Sequence, residues 1–139
     1  MPASSLHNLA EQFCEILGVA APSLSPDGKG HLAFSTKVKG VNVSVTHDMS
    51  RHPDHASVLV FFGHVPPDRE VLVLRELLHA NLLMIQPHCL TFSRNPLTGS
   101  VILQMMFPLA TASGQGLWDG LQSVISHALQ WRESYFLDC

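Results

Sequence analysis

The apolar positions of residues 68–85 form the most informative pattern in the chain. On a wheel of about 100° per residue, Val71, Leu74, Leu78, Leu82 and Ile85 gather on one side. Val73, Leu77, Ala80 and Met84 form a second arc, with Asn81 between the two. Together the arcs span roughly 200°, whereas a helix resting on one core needs a stripe of only about 100°. Arg75, Glu76 and His79 mark the remaining face, which Leu72 and Leu83 share. A helix of this kind must be covered on two sides. A sheet supplies one cover, and a second copy of the chain is the simplest candidate for the other. Val73, Leu74, Leu77, Leu78 and Asn81 are the expected dimer contacts, with no preference between the two arcs. Asn81 reads best as a structural amide bonded to a strand backbone, because an unpaired amide there would be costly; a register-setting polar group at a helix interface is the alternative.

The rest of the chain is organised around that helix. Residues 6–17 carry Leu6, Leu9, Ala10, Phe13, Ile16 and Leu17 on one face of an amphipathic helix. Ser4 or Ser5 is positioned to cap it and Gly18 to stop it. Residues 21–30 are turn chemistry. Three strands follow over residues 31–36, 41–47 and 56–64. Val41, Val43 and Val45 alternate cleanly in the second, while the third is apolar on both faces, as suits a strand inside a sheet. After the two-sided helix and a break at Gln86-Pro87 come strands over residues 89–94 and 101–109, joined by a turn at Asn95-Pro96. A last helix opens near residues 113–116, with Leu117, Leu121, Val124, Ala128 and Trp131 as its main stripe. The order α-β-β-β-α-β-β-α predicts a single α+β domain over residues 1–139, with an antiparallel sheet packed by helices.

Composition strengthens the case for a partner. Only 14% of the residues are charged against 46% hydrophobic, and typical soluble domains carry roughly 25% charged residues. The deficit predicts apolar surface of the kind that marks partner contacts. A net charge of −3 with scattered basic residues argues against nucleic acid. No apolar run has the length of a membrane span, and the opening MPASSLHNLAEQF does not read as a signal peptide. Cys14, Cys89 and Cys139 are far apart and fit free thiols in a reducing compartment.

Catalytic chemistry finds little support. His47, His52 and His55 cluster near a strand end, but without HExxH or a Cys/His ligand pattern they read as solvated loop histidines. A metal-dependent enzyme using them is the weaker alternative. Cys89 and His88 are neighbours in an extended segment and point to opposite faces, so His88 is badly placed to activate the thiol. Gly114-Gln115-Gly116 lacks the remainder of a phosphate-binding fingerprint and reads as the start of a helix. No cofactor and no catalytic residue is expected. A generic dimeric adaptor or scaffold remains the alternative from the residues alone.

One resemblance covers nearly the whole chain. Ala80-Asn81-Leu82 in a Leu-rich helix, Phe92 in the next strand, the turn Asn95-Pro96-Leu97-Thr98-Gly99, an apolar strand ending at Leu109 and a final helix with Trp131 resemble the CesT/Tir-chaperone family of type III secretion chaperones. The resemblance implies a small cytoplasmic homodimer of a Gram-negative bacterium. It further implies binding to the N-terminal region of one or a few effectors, which are kept secretion-competent and delivered to the export apparatus, with the secretion ATPase as a candidate partner. The second helix contributes to the dimer contact in that family. By position, the effector groove falls to Phe13, Leu17, Leu32, Phe34, Val43 and Val45. Val43→Asp or Phe13→Asp is then expected to abolish effector binding while leaving the dimer folded.

Overall fold

The computed structural model describes residues 6–19, 31–83 and 90–137. Helix α1 is Leu6–Leu17, followed by strands β1 (His31–Val38), β2 (Val41–Asp48) and β3 (His55–His64). Helix α2 (Glu70–Leu83), strands β4 (Thr91–Arg94) and β5 (Ser100–Pro108) and helix α3 (Gly114–Ser134) complete the chain, with short 3-10 turns at Pro67–Arg69 and Leu109–Thr111. This is the α+β order that the periodicities predict. The proposed caps Ser4 and Ser5, the turn-rich residues 21–30, Met84, Ile85, the Gln86-Pro87 break, His88, Cys89 and Cys139 lie outside the described residues.

All strand pairs are antiparallel, in the order β1-β2-β3-β5-β4. The two-sided apolar strand β3 is indeed internal. Strand β1 runs beyond the expected residue 36 because Lys39 and Gly40, with φ of +52° and +81°, make a two-residue turn that continues the pairing to Val38 and Val41. Such a turn closes on a hydrogen-bonded pair, so Val38, Thr36 and Phe34 direct their backbone groups to β2. Ala33, Ser35 and Lys37 direct theirs outward.

One face of the sheet carries the core. Phe34, Val43, Val45, Val58, Val60, Phe62, Phe92 and Leu103 are buried there. They pack with Leu6, Leu9 and Phe13 of α1 and Leu121, Ile125 and Trp131 of α3. Each such side chain contributes about 1.5–3 kcal/mol on burial. Phe62 meets Phe92 edge-on at 4.9 Å between ring centroids. Between Phe61 and Gly63 the register shifts in a bulge, where Gly63 adopts φ +140°. Arg132 of α3 clamps this bulge by donating from Nε to the Phe62 carbonyl at 2.7 Å and from Nη2 to that of Phe61 at 3.1 Å.

The junction of α1 and α3 depends on one missing side chain. Ser113 Oγ accepts from the Gly116 amide, and Gln12 Oε1 of α1 accepts from the Gly114 amide at 2.9 Å. Two otherwise unpaired donors at the start of α3 are thereby satisfied. A Cβ on Gly114 would lie 2.7 Å from the Gln12 carbonyl carbon and 2.8 Å from the Phe13 nitrogen. Backbone cannot yield as a flexible side chain can. Gly114→Ala is expected to force the helices apart and cost about 1–3 kcal/mol; an unchanged urea midpoint would show that the contact is looser than this.

Candidate partner-binding surfaces

Helix α2 runs along the β4 edge, fastened by the amide of Asn81. Asn81 Oδ1 accepts from the Phe92 backbone N–H at 2.6 Å, and Nδ2 donates to the Phe92 carbonyl at 3.2 Å. Both groups belong to one residue of an edge strand, so they face away from β5. Asn81 thus imitates the next strand and closes that edge to pairing at this point. The structural reading of this residue is the one observed. An exposed ion pair, Arg94 Nε to Glu70 Oε1 at 3.7 Å, adds a second tie.

The two arcs of α2 have different partners. Val73 and Leu77 are buried against the chain's own core, so these two expected dimer contacts are occupied within the protomer. The opposite arc is open: Val71, Leu78 and Leu82 are 69%, 68% and 73% exposed. Leu74 is half-buried between the arcs. Leu74, Leu78 and Asn81 also line a groove of about 210 Å³ between α2 and β4. Among the expected dimer residues, Leu74, Leu78 and Asn81 remain accessible. The wheel locates both arcs but has no means of saying which one meets the sheet.

The residues of the expected effector groove divide in a similar way. Phe13, Phe34, Val43 and Val45 are buried between α1 and the sheet. They are core residues of the protomer and present no surface groove in this conformation. Leu17 and Leu32 are half-buried at its margin, beside Ile16 and Val19, which are exposed. Sequence periodicity identified the apolar face of α1 correctly, but the chain's own strands already use most of it. Val43→Asp and Phe13→Asp are therefore expected to unfold the protomer, and cannot test partner binding separately.

Beyond that margin, β1 is an edge strand of the sheet. Among the described residues no strand pairs with β1 on its outer side. The outward backbone groups of Ala33, Ser35 and Lys37 form an open edge on which an extended peptide can add hydrogen bonds. Among the described residues, one sheet edge is fastened to α2 and the other pairs with no strand.

The remaining candidate chemistry is structural. His47 is buried with Nε2 at 3.1 Å from the carbonyl oxygens of both His52 and Pro53, so that nitrogen donates to the loop. Among the described residues no group of three or more His, Cys, Asp or Glu side chains is arranged to hold a metal. Burial pushes the Cys14 thiol upward, away from the thiolate a nucleophile needs.

Asp48 organises the same loop. Hydrogen bonds from the Arg51 amide, then the Ser50 hydroxyl, and His31 Nε2 at 3.0 Å hold its carboxyl below the usual carboxylate range. A depressed folded-state pKa adds stability above the unfolded value of about 3.9, and that stability is lost as pH falls toward the folded value. Asp48→Asn is expected to flatten the decline of Tm below about pH 4. A decline as steep as that of the parent chain would locate acid sensitivity elsewhere.

Among the described residues, the α+β protomer has an exposed apolar arc on α2 and a β1 edge with no further strand, two surfaces open to a partner. The chain belongs to the Tir chaperone protein (CesT) family, which it matches over residues 8–132. Solved structures with the same fold include three complexes. The ExsC–ExsE complex matches with a TM-score of 0.72 at 23% identity, covering 99% of this chain and 98% of that one. A HopA1–SchA chaperone–effector complex matches at 0.64 and 15% identity, covering 91% of each chain. The ExoT–SpcS complex from Pseudomonas aeruginosa matches at 0.60 and 16% identity, covering 90% and 95%. No curated protein sequence matches significantly. Among the described residues no helix is long and apolar enough to cross a membrane.

Proposed function

We propose that this protein is a homodimeric type III secretion chaperone that binds the N-terminal region of an effector and keeps it extended until export. The observation that carries this reading is the family match across residues 8–132. The similar solved structures, one of them a chaperone–effector complex, support the same reading. In this reading the exposed arc of α2 joins two copies, and the β1 edge with the Leu17–Leu32 margin receives the effector. Backbone hydrogen bonds hold a segment of varied sequence, while half-buried apolar side chains add affinity. A disordered segment surrenders conformational entropy on binding, so affinity stays moderate and release at the export apparatus remains feasible. The secretion ATPase is the proposed receiver, in the cytoplasm of a Gram-negative bacterium.

Co-expression with each type III effector encoded in the same genome tests this proposal. One or a few effectors are expected to co-elute with the chain, and removal of their N-terminal region is expected to abolish co-elution. Failure of every such effector to co-elute would favour a scaffold without effector specificity.

A further inference from the structure

The two ends of the open β1 edge differ in charge. At the turn end, Lys37 and Lys39 are exposed, and neither forms an ion pair with another described residue. Lys37 lies opposite Asn42, and Phe61 lies opposite Ile102, while the Val43–Val60 pair brings Asn42 and Phe61 side by side. These residues belong to the sheet face turned away from α1 and α3. A depression of about 440 Å³ opens there, lined by Ser35, Thr36, Asn42, Val43 and Phe61. A third cation approaches from α3: Arg132 Nη1 donates to the Gly40 carbonyl at 3.3 Å, supporting the turn that positions Lys39. At the other end of the edge, His31 faces the carboxylate of Asp48 at 3.0 Å.

Between these ends lie the outward backbone groups of Ala33, Ser35 and Lys37. A peptide added to this edge would place one terminus beside the exposed Lys37 and Lys39 and the other beside the His31–Asp48 pair. Attraction at the lysine end, set against a paired carboxylate at the other, discriminates by composition and by direction. Edge lysines also deter pairing between copies of the same sheet, and an acidic partner is the kind that overcomes that deterrent. Resting on the effector-binding reading above, we propose that the β1 edge selects an extended effector segment whose acidic side chains lie beside Lys37 and Lys39.

Short fluorescent peptides alternating valine and serine provide the probe, carrying Asp-Asp at the N-terminus, Asp-Asp at the C-terminus, or Lys-Lys at either end. Fluorescence anisotropy with the full chain is expected to show one Asp-Asp peptide binding about three- to tenfold more tightly than its Lys-Lys counterpart. The gap should nearly close on moving from about 0.05 M to about 0.5 M salt. The preference should reverse in the K37E/K39E double variant, whose two sites are exposed and whose Tm should stay near that of the parent. Equal binding of all peptides, lost in Ser35→Pro, would overturn acidic selection while leaving strand addition intact. Binding of none would remove both.

Discussion

Leu78→Asp is expected to separate the dimer into folded monomers. Leu78 is 68% exposed in the protomer, so a carboxylate there remains hydrated in the monomer and costs the fold little. In the proposed dimer the same carboxylate would be trapped against the partner's apolar helix face. Burying an unpaired charge at such a contact costs about 3–5 kcal/mol, which weakens association by two to four orders of magnitude. Val73→Asp, on the opposite arc of the same helix, is expected to behave differently. Val73 is fully buried within the protomer, and a charge there should prevent folding. Sedimentation velocity and circular dichroism distinguish the two outcomes. A dimeric Leu78→Asp variant with an unaltered dissociation constant would move the interface away from this arc.

The second large effect is expected at Ser35. Its N–H faces the open side of β1, so proline there removes no bond of the β1–β2 ladder and suits an edge position. A peptide pairing with β1 would lose that donor and leave its own carbonyl unsatisfied, at a cost of about 1–3 kcal/mol. Steric interference from the ring adds to this. Effector affinity should fall by about ten- to a hundredfold, while the dimer and the Tm change little. Retained affinity would place the bound segment elsewhere, with the outward side of α1 the next surface to consider.

Hydrophobic periodicity made much of this architecture legible. The alternation in β2 and the two-sided pattern of β3 each predicted the environment found, and of the double arc of α2 the Val73–Leu77 side is covered by the sheet. Periodicity reports that a side chain needs cover, but it does not identify the cover. Hence Val73 and Leu77 were indistinguishable from Leu74 and Leu78 until the sheet was in place. Phe13, Phe34, Val43 and Val45 show the same ambiguity: within the protomer they are buried against one another. Long-range polar ties were legible only in part. Asn81 was conspicuous as a polar residue between apolar arcs, and its bonds to Phe92 explain it. The contact of Gln12 with Gly114, 102 positions later in the chain, carries no local signature. Neither does the clamp of Arg132 on the β3 bulge, which depends on how α3 crosses the sheet.

Protection of a captured effector against protease offers the most direct test. Crosslinked capture from the native cell and mass spectrometry would identify the effector, and the co-purified complex would then be digested under native conditions. The account predicts one resistant effector fragment, drawn from its N-terminal region and unfolded when isolated, bound to two copies of this chain. A resistant fragment that is a folded domain, or complete digestion of the N-terminal region, would contradict it.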